Sequence, residues 1–158
     1  FLNEHCKNAM SLEDFIKGSR NTELKKNEIL SAILIPQKAE RGHSSFVKLG
    51  ARKYLVISIA MVACKINLDG DIISDIAISI GSCSAVATRL RELENILTGK
   101  SANSMSTQDI YNFDYENHIS PINDIRGTHA YRLEVAKVLV KNSIIDTINK
   151  FKIKGQYE

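Results

Sequence analysis

The fold is decided by the stretch YLVISIAMVACKINLDGDIISDIAISIG, Tyr54 to Gly81. Its first half reads as a long strand from Tyr54 to Leu68. Successive side chains of a strand point to opposite faces. Ile57, Ile59, Met61 and Ala63 therefore share one face, and Ala60, Val62, Cys64 and Ile66 the other. Both faces are fairly apolar, which fits a central strand covered on at least one side. Asn67-Leu68-Asp69-Gly70-Asp71 follows, and Asp-Gly between two β runs is a strong hairpin signal. The returning run, Ile72 to Gly81, sets Ile76, Ile78 and Ile80 against Asp75, Ala77 and Ser79. The stretch is an antiparallel hairpin.

Upstream, Phe1 to Lys26 is polar and irregular, with a short amphipathic piece around Leu12, Phe15 and Ile16. Glu28 to Ile35 reads as a buried strand stopped by Pro36. A charged loop, Gln37 to His43, leads to a further strand from Ser45 through Phe46, Val47 and Lys48 to Gly50. Downstream of Gly81 the apolar period lengthens from two to about 3.6. Ser84 reads as an N-cap, Val86, Leu90, Leu93 and Leu97 as the apolar stripe, and Gly99 as the stop. Arg89, Arg91, Glu92 and Glu94 form that helix's charged face. Ser106 with Asp109 resembles a capping arrangement for a short helix through Tyr111, Phe113 and Tyr115, ended by Pro121. The last helix runs from about Thr128 to about Lys150, with Leu133, Ala136, Val140, Ile144 and Ile148 as its stripe. Val135, Val138 and Leu139 broaden the stripe to a packed face. Strands come first and helices after, without βαβ alternation. That order gives an α+β fold, an antiparallel three-stranded sheet packed with a three-helix bundle.

The chain has 158 residues, 44% hydrophobic and 25% charged. This is an ordinary composition for one globular domain with a short extra arm. It opens on Phe1, which reads as a fragment or a processed product. No apolar run approaches a membrane span, and no signal peptide opens the chain. The net charge of +3 is spread out. Its one basic cluster, Lys150 to Lys154, reads as a solvated helix end where lysine suits the negative end of the dipole. No nucleic-acid partner is expected from that distribution. Cys6, Cys64 and Cys83 show neither metal-ligand spacing nor the even count of a disulfide framework. A reducing, cytoplasmic setting is the expectation.

Glycine-rich nucleotide loops, a P-loop and zinc motifs are absent, and His5, His43, His118 and His129 are scattered. Gly81-Ser82-Cys83-Ser84 sits at a strand-to-helix junction, where a helix N-terminus would lower a thiol pKa. A nucleophile elbow needs glycine on both sides, and one is missing here. A tight turn with an N-cap is the plainer reading, and a small hydrolase using Cys83 the unrelated alternative. Lys48 interrupts an apolar strand and is followed by Arg52 and Lys53. It is either a solvent-facing lysine near a strand end or a fixed positive charge offered to an electron-rich ligand, where it would stabilise an anionic reduced species. Composition alone does not choose.

An ordered series of motifs does carry a resemblance. It begins with Asp14-Phe15-Ile16-Lys17-Gly18-Ser19-Arg20-Asn21-Thr22, Leu24 to Leu30, and Ile33-Leu34-Ile35-Pro36. Phe46-Val47-Lys48-Leu49-Gly50-Ala51-Arg52-Lys53 follows, then the Asp69-Gly70 hairpin and Ile80-Gly81-Ser82-Cys83-Ser84-Ala85 with Arg89. Ile125-Arg126-Gly127-Thr128-His129-Ala130-Tyr131-Arg132 completes it. Together these resemble the C-terminal part of the FAD-binding subunit of molybdenum hydroxylases, the xanthine dehydrogenase and carbon monoxide dehydrogenase family. The resemblance implies that residues 1–40 are the tail of the FAD-binding domain and residues 41–158 the C-terminal domain. It implies an oxidoreductase component that takes electrons from 2Fe-2S clusters through FAD to NAD or another acceptor. Molybdopterin and the clusters would reside on partners, an iron–sulfur subunit and a molybdopterin subunit, and a homo-oligomer is left open. Leu30 would pack against the isoalloxazine ring, Lys48 would place positive charge at its carbonyl edge, and Arg52 would tune the local potential. Val56 stands where many relatives carry Asp, and Ala85 where many carry Pro. Nothing here matches the family's pyrophosphate-holding glycine loops, so this chain alone would bind FAD weakly or not at all and be inactive. A non-catalytic docking module of the same complex is the alternative within the family.

Overall fold

The computed structural model describes residues 9–154, with side chains through Lys152. Cys6 and His5 lie outside the described residues. The chain divides into two units between Ile35 and Pro36. The first holds helix α1 (Leu12–Phe15) and a small antiparallel pair, β1 (Ile16–Gly18) and β2 (Asn21–Thr22). Ser11 caps α1 by accepting from the Asp14 N–H at 3.0 Å.

The strand expected at Glu28 to Ile35 does not form. Its residues pair with no strand, and Ile29, Leu30, Ile33, Leu34 and Ile35 are all exposed. A β-rich sequence becomes a strand only where another backbone takes its hydrogen bonds, and none does so among the described residues.

The second unit opens with a 3₁₀ turn at Gln37–Glu40. Its sheet has four antiparallel strands in the order β3 (His43–Gly50), β4 (Ser58–Asp69), β5 (Ile72–Gly81) and β6 (Thr88–Arg89). The hairpin of β4 and β5 forms as its sequence requires, with Asp69 opposite Ile72 across a two-residue turn. Gly70, at φ 58°, supplies the positive backbone angle which that turn needs at its first central position. A bulge near Leu68 leaves Ser74 without a partner. It keeps Ile73 on the same buried side as Ile76, Ile78 and Ile80, which simple alternation would not do.

Three helices belong to this unit, α2 (Arg91–Leu97), α3 (Thr107–Tyr111) and α4 (His129–Lys154). They do not make the expected bundle. Helix α4 lies along β3 and β4, α2 packs against β5, and α3 rests on α4. The stripe Leu133, Ala136, Val140, Ile144 and Ile148 is buried against Ala60, Val62, Cys64 and Ile66. Each such large side chain contributes roughly 1.5–3 kcal/mol on burial. Polar Ser143 and Thr147 are buried in the same face, where Thr147 donates to the Ser143 carbonyl at 2.7 Å and Ser45 Oγ lies 2.6 Å from Ser143 Oγ. These contacts tie β3 to α4. Ser106 caps α3 through the Asp109 N–H as its spacing indicates.

The fourth strand and the shorter α2 correct the expected three strands and the helix from Ser84. Ser82 turns the chain at φ 65°, and residues 83–89 return beside β5 to pair Thr88 with Ile80 and Arg89 with Ser79. Ser84 Oγ therefore caps no helix and accepts instead from the Ser120 N–H. Glu94 is 7% exposed and receives the Ile78 N–H at 2.7 Å together with both ends of the Arg89 guanidinium. A continuous helix from Ser84 would have set Arg89 and Glu94, five residues apart, on different faces. The pairing of Arg89 with the buried Glu94 carboxylate outweighs the helical pattern.

Candidate functional site

Alternation along β3 sends Ser45 and Val47 toward α4 and leaves Phe46 and Lys48 on the opposite, helix-free side of the strand. On that side Phe46 is 62% exposed. It borders a shallow depression of about 440 Å³ that Ala63, Lys65, Ala77, Ser79 and Arg89 also line. Lys48 stands opposite Met61 in the ladder.

The chain then leaves the sheet through residues 51–57 before β4 begins. Lys48 Nζ donates to the Val56 carbonyl at 2.8 Å, and Arg52 Nη2 donates to the Leu55 carbonyl at 2.8 Å. The structure thus brings Lys48 and Arg52 together, both aimed at consecutive carbonyls of one loop. Leu55 holds a left-handed φ of 49° and is 93% exposed. Gly50 is required where the loop folds back, because a Cβ there would run into Val56 Cγ1. Leu30 belongs to the other unit, in the irregular stretch before Pro36, and is 53% exposed.

Behind the loop the sheet is irregular in a defined way. The ladder pairs Leu49 with Ala60 and Gly50 with Ser58, which leaves Ile59 without a partner on β3. The Ile59 carbonyl accepts from Arg132 Nη1, the same nitrogen donates to the Ser82 carbonyl at 3.2 Å, and Nη2 donates to Asp124 at 2.7 Å. Asp124 also receives the Arg126 N–H and guanidinium, each at 2.8 Å. Hydrogen bonds from Arg132 first, then Arg126, hold the Asp124 carboxyl down at about 2. Arg132 closes the motif quoted above, yet only the folded chain reveals it as a three-way clamp on the sheet end that carries the loop.

The other candidates are inert. Burial raises the Cys64 thiol to about 12 and the Cys83 thiol to about 11. Both side chains are buried, so Cys83 lacks the low pKa and exposure of a nucleophile. No cluster of His, Cys, Asp or Glu able to hold a metal occurs among the described residues. No helix among them is long and apolar enough to cross a membrane.

An ammonium and a guanidinium, each bonded to a backbone carbonyl, are donors that suit any oxygen-rich acceptor edge, carbonyl oxygens among them. Sequence reasoning identified these two cations from the motif. It missed the Leu55 and Val56 carbonyls, which carry no side-chain signal.

Comparison with known proteins bears on the fold and the family. The model of the CO dehydrogenase flavoprotein C-terminal domain matches residues 45–147. The medium chain of glyceraldehyde dehydrogenase from Sulfolobus acidocaldarius is 33% identical over 126 residues, 80% of this chain and 44% of that protein. Quinoline 2-oxidoreductase from Pseudomonas putida 86 superposes with a TM-score of 0.75 at 23% identity, over 87% of this chain and 47% of its own. Reconstituted CO dehydrogenase from Oligotropha carboxidovorans gives 0.73 at 20% identity, over 86% and 47%. The chain spans less than half the length of each of these relatives.

Proposed function

Because the chain belongs to the CO dehydrogenase flavoprotein C-terminal domain family, we propose that it serves as the C-terminal portion of an FAD-binding electron-transfer subunit of a molybdenum hydroxylase. The observation that carries this is the pair of cations, Lys48 and Arg52, both presented to carbonyl oxygens at 2.8 Å on the helix-free end of β3. FAD, when bound, supplies the exchange of electrons between 2Fe-2S clusters and NAD or another acceptor. Lys48 would set a positive charge at the carbonyl edge of the ring and so favour its negatively charged reduced form. Arg52 would add to that field, and Leu30 would lie against the ring face. The pyrophosphate needs backbone amides from glycine-rich loops that this chain lacks, so the remainder of a longer flavoprotein would hold it. Molybdopterin and the clusters would sit on partner subunits.

The test uses the flavoprotein that joins this chain to a phosphate-binding half. Replacing Lys48 by Ala should weaken FAD binding and move the flavin potential to more negative values, because the reduced form loses its countercharge. Unchanged affinity and potential in that variant would remove Lys48 from the site.

A second reading rests on a separate observation, the exposed apolar run from Ile29 to Ile35. Such surface suits a docking module that binds the iron–sulfur and molybdopterin subunits without its own FAD. Assembly with those subunits at full affinity in the absence of FAD would favour it.

A further inference from the structure

Lys48 and Arg52 do not wait for a ligand in free solution. Each is bonded at 2.8 Å to a carbonyl, one from Val56 and the other from Leu55. These carbonyls belong to adjacent residues, so one loop satisfies both cations at once. The arrangement is held against a cost. Leu55 adopts φ 49°, a left-handed conformation that L-residues other than glycine and asparagine rarely visit. Its side chain, 93% exposed, makes up none of that cost by packing.

We propose that residues 51–57 act as an internal stand-in ligand, their Leu55 and Val56 carbonyls occupying Arg52 and Lys48 until a ligand with its own carbonyl edge displaces them. This rests on the site reading given above. The loop then works as a latch. The two charge-assisted hydrogen bonds keep it closed, the strain at Leu55 loads it toward opening, and a ligand that takes Lys48 releases both. Closing the latch more firmly must weaken ligand binding, and loosening it must strengthen binding, because the ligand competes with the loop for the same donors.

Leu55 allows the balance to be moved in both directions without touching the donors. Asparagine tolerates the left-handed region, so Leu55→Asn favours the closed latch. A β-branched residue does not tolerate it, so Leu55→Val favours the open one. The experiment uses the flavoprotein carrying this chain with its phosphate-binding half. FAD dissociation is followed by flavin fluorescence, and loop opening by trypsin cleavage of the FAD-free form after Arg52 and Lys53. Leu55→Asn should slow cleavage and weaken FAD binding by about fivefold, and Leu55→Val should do the reverse, a size set by the energy of one left-handed residue. If both variants leave FAD affinity unchanged, or shift it the same way, while Lys48→Ala weakens it, the latch is overturned and Lys48 keeps its place at the flavin. If Lys48→Ala also leaves affinity and flavin spectrum unchanged, the site reading fails and takes the latch with it.

Discussion

The guanidinium of Arg132 on α4 donates to the carbonyl of Ile59, the residue that the bulge in the β3–β4 ladder leaves without a partner on β3. The irregular end of the sheet is thereby fastened to the helix that covers it. The same side chain holds the Ser82 carbonyl at the chain reversal after β5, and Asp124 holds the guanidinium in turn. One buried cation thus ties together the start of β4, the reversal after β5 and Asp124.

Removing that cation while keeping its bulk should be costly. Arg132→Met removes the donor from the buried Ile59 carbonyl and the part-buried Ser82 carbonyl and leaves Asp124 without its buried partner, and we expect a loss of about 3–5 kcal/mol in urea unfolding. Arg132→Lys should recover only part of it, since a single ammonium cannot reproduce the planar, forked reach of a guanidinium.

Acid should release the clamp in a defined window. The Asp124 carboxyl lies at about 2 in the folded chain against an ordinary 3.8. A depressed carboxyl contributes stability that is complete above the unfolded value and is lost as pH falls toward the folded one. The contribution should therefore be full above about pH 4 and vanish between about pH 4 and pH 2. Asp124→Asn should flatten the stability profile across that window, as read by denaturation midpoints at each pH.

Glu94 does two separate tasks, accepting the Ile78 N–H and pairing with Arg89. Glu94→Gln keeps an acceptor for the amide but loses the charge, at an expected cost of about 1–2 kcal/mol. Glu94→Ala leaves the amide unsatisfied as well, and about 3 kcal/mol is expected. Equal losses in the two variants would mean that the amide bond contributes nothing.

The thiols give a check on the inactive reading of Cys83. With Cys64 raised to about 12 and Cys83 to about 11, both should resist iodoacetamide at pH 8 in the folded chain and react only once it is unfolded. Peptide mass mapping after native labelling distinguishes the two. Rapid native modification of Cys83 would reopen a nucleophilic role.

Much of this was legible in the residues. The β4–β5 hairpin follows from alternation and an Asp-Gly turn, and the buried face of α4 follows from the spacing of Leu133, Ala136, Val140, Ile144 and Ile148. Both signals are local, so each is readable without knowing what lies opposite. The start of α2 was not readable. Val86 and Leu90 repeat at helical spacing, yet Thr88 and Arg89 pair with β5, and a buried carboxylate from Glu94 takes both Arg89 and the Ile78 amide. Nothing within a few residues of Ser84 announces that pairing.

The candidate site divides the same way. The motif singled out Lys48 and Arg52 as side chains, but their partners are backbone oxygens, which every residue carries alike.

By itself, then, the sequence determined an antiparallel sheet under a long amphipathic helix and the identity of its two candidate cations. Periodicity and turn chemistry act over a few residues and are written in side chains. Tertiary structure alone decided that Ile59 is fastened by Arg132, that Glu94 is buried, and that the β3–β4 loop turns back onto Lys48. Each of these depends on which backbone carbonyls and amides are left unpaired once the sheet has closed, and that is a property of the whole fold.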